Sequence, residues 1–237
     1  MPNQQTVIIT GAAGGIGSGL VEGFLNAGYR VVATSLNTSR SLTASSNLLL
    51  VDGDISSPEI AAKVANAALQ HFGSIDALIN TAGIYRKNAF TDYTTDDINA
   101  LLSTNLLGFL YITQLAVRQM LKQQSGSVVT ITAGLADHPV AGVNASVAMM
   151  TKGALNTITR NLATEYAAQG IRFNAVAPGV VATPLHTDVA AAAQAERQPM
   201  KTITQVSDIV DAVLYLTRAK QVSGEILYVD GGAHAGR

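Results

Sequence analysis

Three glycines in the run TGAAGGIGSGL, residues 10–20, have the spacing that a phosphate-binding turn needs: Gly11, Gly15 and Gly17, with Ile16 between the last two. The apolar run before them and the helical run after them read as a strand feeding a helix. At such a junction glycine lets the backbone approach a pyrophosphate, while the first helical N–H groups and the positive end of the helix dipole attract the anion. The same spacing also suits a bare strand-to-helix turn with positive φ. The turn therefore gains meaning only from residues further along the chain.

A dinucleotide seated there would bring its adenosine ribose to the end of the second strand, where an NAD site carries an acid. Residues 31–40 read VVATSLNTSR, which supplies Ser35, Asn37 and Arg40 but no carboxylate. Hydroxyls, an amide and an arginine accept a 2′-phosphate that an acid would repel. NADP(H) is thus expected in preference to NAD(H), although Arg40 alone also reads as a solvated surface residue.

These residues need a frame, and the hydrophobic pattern supplies one. Short apolar runs near 6–10, 29–34, 48–51, 75–80, 127–132, 171–177 and 225–229 alternate with helical stretches near 16–27, 58–71, 95–122, 146–168 and 206–217. Most of the short runs are continuously apolar, as in strands buried on both faces of a parallel sheet, with crossover helices on either side. The second helix opens on SSPE, a serine cap followed by proline and an acid. The 95–122 stretch carries Leu101, Leu106, Leu107, Phe109, Leu110 and Leu115 around most of its circumference. A helix so apolar is expected to meet both the sheet and another subunit. The alanine-rich DVAAAAQAE at 188–196 suits a short mobile helix over a pocket.

With 13% charged and 48% apolar residues, the composition suits one large α/β domain spanning 1–237, with helix layers over a buried sheet. A net charge of −1 with scattered lysines and arginines leaves no basic stripe for nucleic acid and no polybasic patch for a membrane. Small molecules and further copies of the chain are the expected partners. The lack of cysteine excludes disulfides, a thiolate metal site and a cysteine nucleophile. The opening MPNQQTVIIT lacks the basic segment and apolar core of a signal peptide, and no apolar run approaches a membrane span, so a soluble cytoplasmic protein is expected.

Taken together, TGAAGGIG at 10–17, DGDI at 52–55, NTAG at 80–83, STNLLG at 103–108, TKGALN at 151–156, IRFNAVAPGVVATP at 171–184 and GEILYVDGG at 224–232 resemble, in order and spacing, the short-chain dehydrogenase/reductase family. The resemblance runs from Thr6 to about Gly232. It implies a Rossmann-type doubly wound fold and a small carbonyl or alcohol substrate. It also implies a homotetramer or homodimer. Carried over by position, Asp54 and Ile55 flank the adenine, and Asn80, Ala82 and Gly83 support the cofactor ribose and the central strand. Pro178, Gly179, Val181 and Thr183 hold the nicotinamide carboxamide. Asn105 bends its helix and anchors a water, and Lys152 binds the nicotinamide ribose and lowers the pKa of a catalytic tyrosine.

That tyrosine is missing. Four residues before Lys152 stands Ala148, and no tyrosine lies between Tyr111 and Tyr166. The serine that the family places just after the fifth strand is also absent from Thr132, Ala133 and Gly134. Thr132 offers a hydroxyl there, and His138, in a loop longer than the family's, offers a group that exchanges protons near neutrality. A lone loop histidine also reads as structural, and Asp137 beside it is adjacent only in sequence. Two functions stay open: a reductase or dehydrogenase with a degenerate site, and a cofactor-binding regulator or structural subunit without turnover. Ile84 to Phe90, Leu135 to Val143 and Leu185 to Gln198 are expected to line a small, mainly apolar substrate pocket.

Overall fold

The computed structural model describes residues 4–184, 195–196 and 198–236. Its strands are β1 (Thr6–Thr10), β2 (Arg30–Ser35), β3 (Leu48–Asp52), β4 (Ala77–Asn80), β5 (Gly126–Ile131), β6 (Ile171–Pro178) and β7 (Ile226–Val229). They form one sheet in the order β3-β2-β1-β4-β5-β6-β7, and every pairing is parallel. Such a sheet must be covered on both faces, which explains the continuous apolar runs. The order reverses between β1 and β4, so the loops leaving their C-terminal ends diverge and open a crevice there.

On one face lie α1 (Gly15–Asn26) and a C-terminal helix, Val206–Arg218. Leu20 and Phe24 from the first meet Ile209 and Val213 from the second above Val7, Ile9 and Val31. The two helices sit close because α1 has no side chain at the contact: a Cβ on Gly19 would lie 2.4 Å from Val206, and one on Gly23 2.4 Å from Val210. The other face carries α3 (Pro58–Phe72), α5 (Gly108–Gln123) and α6 (Ser146–Glu165), with Val64, Ile112, Met120 and Phe173 in its core. As SSPE suggests, α3 starts at a serine cap, where the Ser57 hydroxyl accepts from the Ile60 N–H at 3.3 Å, and it ends at left-handed Gly73.

Three features differ from the sequence reading. A four-residue helix, α2 (Thr38–Ser41), follows β2; so short a turn carries too little periodicity to be seen in a sequence. The 95–122 helix is interrupted: α4 (Thr95–Leu102) passes through a π-helical turn, Ser103–Leu107, before continuing as α5. Thr95–Gln123 as a whole has the length and composition of a membrane span, contrary to the expectation that no apolar run approaches one. Here it is a core helix, with Ile112, Ala116 and Met120 packed on the sheet. Most of the alanine-rich 188–196 segment lies outside the described residues, as do Leu185 and His186.

Candidate active site

The glycine turn is built to approach other backbone, not to carry side chains. A Cβ on Gly11 would sit 2.7 Å from the Ala82 nitrogen, and one on Gly17 2.1 Å from the Gly11 carbonyl oxygen. Thr10, at the end of β1, fixes this approach from below, because its hydroxyl accepts from the Thr81 and Ala82 N–H groups at 3.1 Å each. Thr10 and Gly11 therefore clamp the turn onto the NTAG loop. The N-cap of α1 is Gly14, with no side-chain cap and no acid in the first turn. Its first amide groups, those of Gly15, Ile16 and Gly17, thus meet no side-chain cap and no first-turn acid among the described residues. That cradle and its uncapped helix start fit a pyrophosphate.

The remaining residues implied for the cofactor lie at or just beyond the C-terminal ends of their strands. Asp54 is exposed and accepts from the Ser56 N–H and hydroxyl at 2.9 and 2.8 Å, which fixes the carboxylate beside buried Ile55. Ser35 is half-buried at the end of β2, with Asn37 and Arg40 exposed beyond it on the α2 turn. Pro178 ends β6, and Gly179 passes so close to β7 that a Cβ there would lie 2.8 Å from that of Asp230. Val181 is buried and bridges to Thr204. A Cβ on Gly15 would lie 2.8 Å from the Thr183 Cβ, so the segment implied for the nicotinamide folds back to the phosphate turn. Asn80 behaves differently. Its side chain is buried and donates to Thr113 of α5 at 3.1 Å, so it anchors the central strand.

Asn105 lies in the π-turn and is 1% exposed. The extra residue of a π-turn displaces side chains from the α-helical register, and here it turns the Asn105 amide toward β4 and α6. Its oxygen accepts from the Ile84 N–H at 2.8 Å; its nitrogen donates to the Ile84 carbonyl at 3.1 Å and to the Thr151 hydroxyl at 2.9 Å. Thr151 donates in turn to the Ala148 carbonyl at 2.7 Å. One side chain thus ties the loop after β4 to the helix that carries Lys152. Thr151, invisible as a site residue in the sequence, completes this tie.

Lys152 projects from α6 across the end of β5, where its ammonium donates to the Ile131 carbonyl at 2.8 Å. A Cβ on Gly83 would meet the Lys152 nitrogen at 3.1 Å and the Asn105 oxygen at 3.2 Å, so these three residues converge on one point. Loss of water around the ammonium pushes its pKa down to about 8, from 10.5.

Ala148, one turn before Lys152, is 1% exposed. It forms an apolar cluster with Leu101 and Val147, flanked by Ile84, Tyr93, Ile98 and Met149. The two substitute donors considered from sequence are placed elsewhere. Thr132 is buried, and its hydroxyl donates to the Val176 carbonyl of β6 at 3.3 Å. His138 turns to the β7 edge, where its ring lies 5.2 Å from that of Tyr228 and 5.8 Å from that of His234. Asp137 also points that way and accepts from Tyr228 and Asn156 at 2.7 Å each. Tyr228 is pushed up to about 12 by burial and by that carboxylate. Tyr228 and His234, remote in sequence, lie against the His138 ring, the first edge-on and the second tilted.

A cavity of ≈ 390 Å³ opens on the other side of the long β5–α6 loop, between Asn88–Phe90 and Leu135, Ala136, Pro139, Val140, Val143 and Met149. It draws on two of the three segments expected to line a substrate pocket; most of the third lies outside the described residues. His138 is not among its lining residues.

The family model described as enoyl-(acyl carrier protein) reductase matches residues 11–234. An acetoacetyl-CoA reductase of Acinetobacter sp. is 31% identical over 252 residues, covering 99% of both chains. A 2,3-dihydroxy-2,3-dihydro-p-cumate dehydrogenase of Pseudomonas putida is 31% identical over 250 residues, covering 97% of this chain and 94% of its own. Among solved structures, ElxO with NADP bound superposes with a TM-score of 0.89 at 26% identity, over 97% of this chain and 98% of its own. A gluconate 5-dehydrogenase from Burkholderia cenocepacia, in complex with NADP and tartrate, reaches 0.90 at 26% identity over 98% and 96%. The glycine cradle, the π-turn asparagine and the lysine of α6 share their frame with these proteins along nearly the whole chain, and on that basis the chain belongs to the short-chain dehydrogenase/reductase family.

Proposed function

We propose that the protein is an NADP(H)-binding oxidoreductase that reduces a neutral, largely apolar carbonyl compound, or oxidises the matching alcohol, without the family's phenolic acid. The observation that carries this reading is the convergence of Lys152, Asn105 and Gly83 beside an uncapped glycine cradle. The NADP in the ElxO and gluconate 5-dehydrogenase structures supports the choice of cofactor. So does Ser35, which stands where an NAD site carries an acid.

A reduced nicotinamide, when bound, supplies a hydride to the carbonyl carbon. The cradle of Gly11, Gly15 and Gly17 holds the pyrophosphate, and Lys152 and Asn105 orient the ribose end of the site. The carbonyl oxygen then needs a proton. Ala148 has none, the Thr132 hydroxyl is committed to Val176, and His138 faces β7. Of these candidates among the described residues Lys152 remains, with its pKa lowered to about 8, and would pass the proton to the carbonyl oxygen through a water. Loss of a positioned acid typically costs ~10² to 10⁴ in rate, so slow turnover is expected. Among the described residues the ≈ 390 Å³ cavity has no charged residue in its lining, which suits an uncharged substrate.

Burial of Ala148 in an apolar cluster favours a second reading, a cofactor-binding regulator or structural subunit without turnover. NADPH titration followed by a carbonyl-panel assay on the same preparation separates the two. Tight NADPH binding with slow reduction supports the enzyme; binding with no turnover of any carbonyl supports the regulator. Absence of nucleotide binding refutes both.

A further inference from the structure

The end of β2 lacks an acid, but the sheet brings one from the neighbouring strand. Ser35 pairs in register with Asp52, the last residue of β3. Partners in register on parallel strands project to the same face, and two residues upstream Ala33 and Leu50 both belong to the α1-side core. Asp52 therefore stands beside Ser35 on the side of the glycine cradle. Its carboxylate is held in place: one oxygen accepts from the Ser39 N–H at 3.0 Å and the other from the Ser39 hydroxyl. The Gly53 N–H donates to the Ser35 carbonyl at 3.0 Å and fixes the register from the next residue.

This placement changes the balance at the α2 turn. Ser39, a donor that a 2′-phosphate on the turn would use, is already committed to a carboxylate. Those hydrogen bonds also hold Asp52 below the usual carboxylate range, so it is ionised at neutral pH. Arg40, next to Ser39, makes no ion pair among the described residues. A cation and an anchored anion therefore flank the same ribose position.

We propose that Asp52 is a specificity-determining residue of the cofactor site. Its anchored carboxylate opposes the 2′-phosphate of NADP(H) and is compatible with the free ribose hydroxyls of NAD(H), so the balance of Arg40 against Asp52, and not Ser35 alone, sets discrimination. This rests on the proposed cofactor binding and holds whether or not the protein turns over.

The test is Asp52→Asn, which keeps an acceptor for Ser39 and removes the charge. Dissociation constants for NADPH and NADH are measured by fluorescence titration at low and high salt. Asp211→Asn, on the C-terminal helix, is the control for net charge. The ratio of NADPH to NADH affinity should rise about tenfold in Asp52→Asn at low salt, the size expected for like charges a few ångströms apart facing water. The rise should shrink at ~1 M salt, where the Debye length is ~3 Å. Asp211→Asn should leave the ratio unchanged. A ratio indifferent to Asp52, or one that moves equally with Asp211, overturns the proposal while leaving the cofactor reading intact. Wild-type protein that binds neither nucleotide overturns both.

Discussion

Placing a phenolic acid one turn before Lys152 is the sharpest perturbation of this site. Ala148→Tyr, combined with Ala133→Ser to orient a carbonyl, places a phenol one helical turn from Lys152. A tyrosine near a cation ionises more easily than its reference pKa of about 10 implies, and a positioned acid is worth ~10² to 10⁴ in rate. The structure also imposes a cost. Ala148 is 1% exposed and packed with Leu101 and Val147, so the ring must displace Ile84 or Met149 at its flank. Overpacking of this kind costs about 1–3 kcal/mol, within the ~5–15 kcal/mol stability of an ordinary domain, so the double variant should fold. NADPH oxidation is followed with a panel of ketones and aldehydes, alongside NADPH affinity and a urea melt on each preparation. At least a tenfold gain in turnover, with cofactor binding retained, is expected. A folded double variant that binds NADPH and turns over no faster than wild type would refute the reasoning. Brisk wild-type reduction that His138→Ala abolishes would show that the loop histidine reaches the site after all.

Three further outcomes are expected. Asn105→Leu removes three hydrogen bonds and leaves the half-buried Ile84 N–H and carbonyl without this partner, while the Thr151 hydroxyl keeps the Ala148 carbonyl, which should cost ~1–3 kcal/mol in urea denaturation; no measurable loss would mean that the π-turn does not depend on this amide. Lys152 has a folded pKa of about 8 against 10.5 unfolded, so the unfolded chain binds more protons between those values. Stability should therefore rise from pH 8 towards 10.5 by at most ~3 kcal/mol, and Lys152→Met should remove that slope. Light scattering at micromolar concentration should find a homo-oligomer, because Leu107 and Met150 remain 38% and 54% exposed on the α4–α5 and α6 surfaces; a monomer at 24.6 kDa would contradict this.

The strands and most helices were legible in the chain because burial on both faces of a parallel sheet demands unbroken apolar runs, and all seven strands fall within two residues of those runs. The glycine turn was legible for a related reason: only glycine fits where backbone meets backbone, so Gly11 and Gly17 mark the contact directly. That Ala148 stands four residues before Lys152 needed nothing beyond counting. What the chain alone could not convey was direction. His138 and Thr132 had suitable chemistry, but the chain alone did not show that the first lies against the Tyr228 ring and the second bonds the Val176 carbonyl. The π-turn, with its three-way hydrogen bonding by Asn105, leaves no periodic trace in five residues. Asp52 was hidden for the same reason. Seventeen positions separate it from Ser35, and only the parallel register of β2 and β3 makes them neighbours. Local spacing encodes strands, turns and caps, whereas the charges that face one another are set by strand register and side-chain packing, which exist only once the sheet has formed.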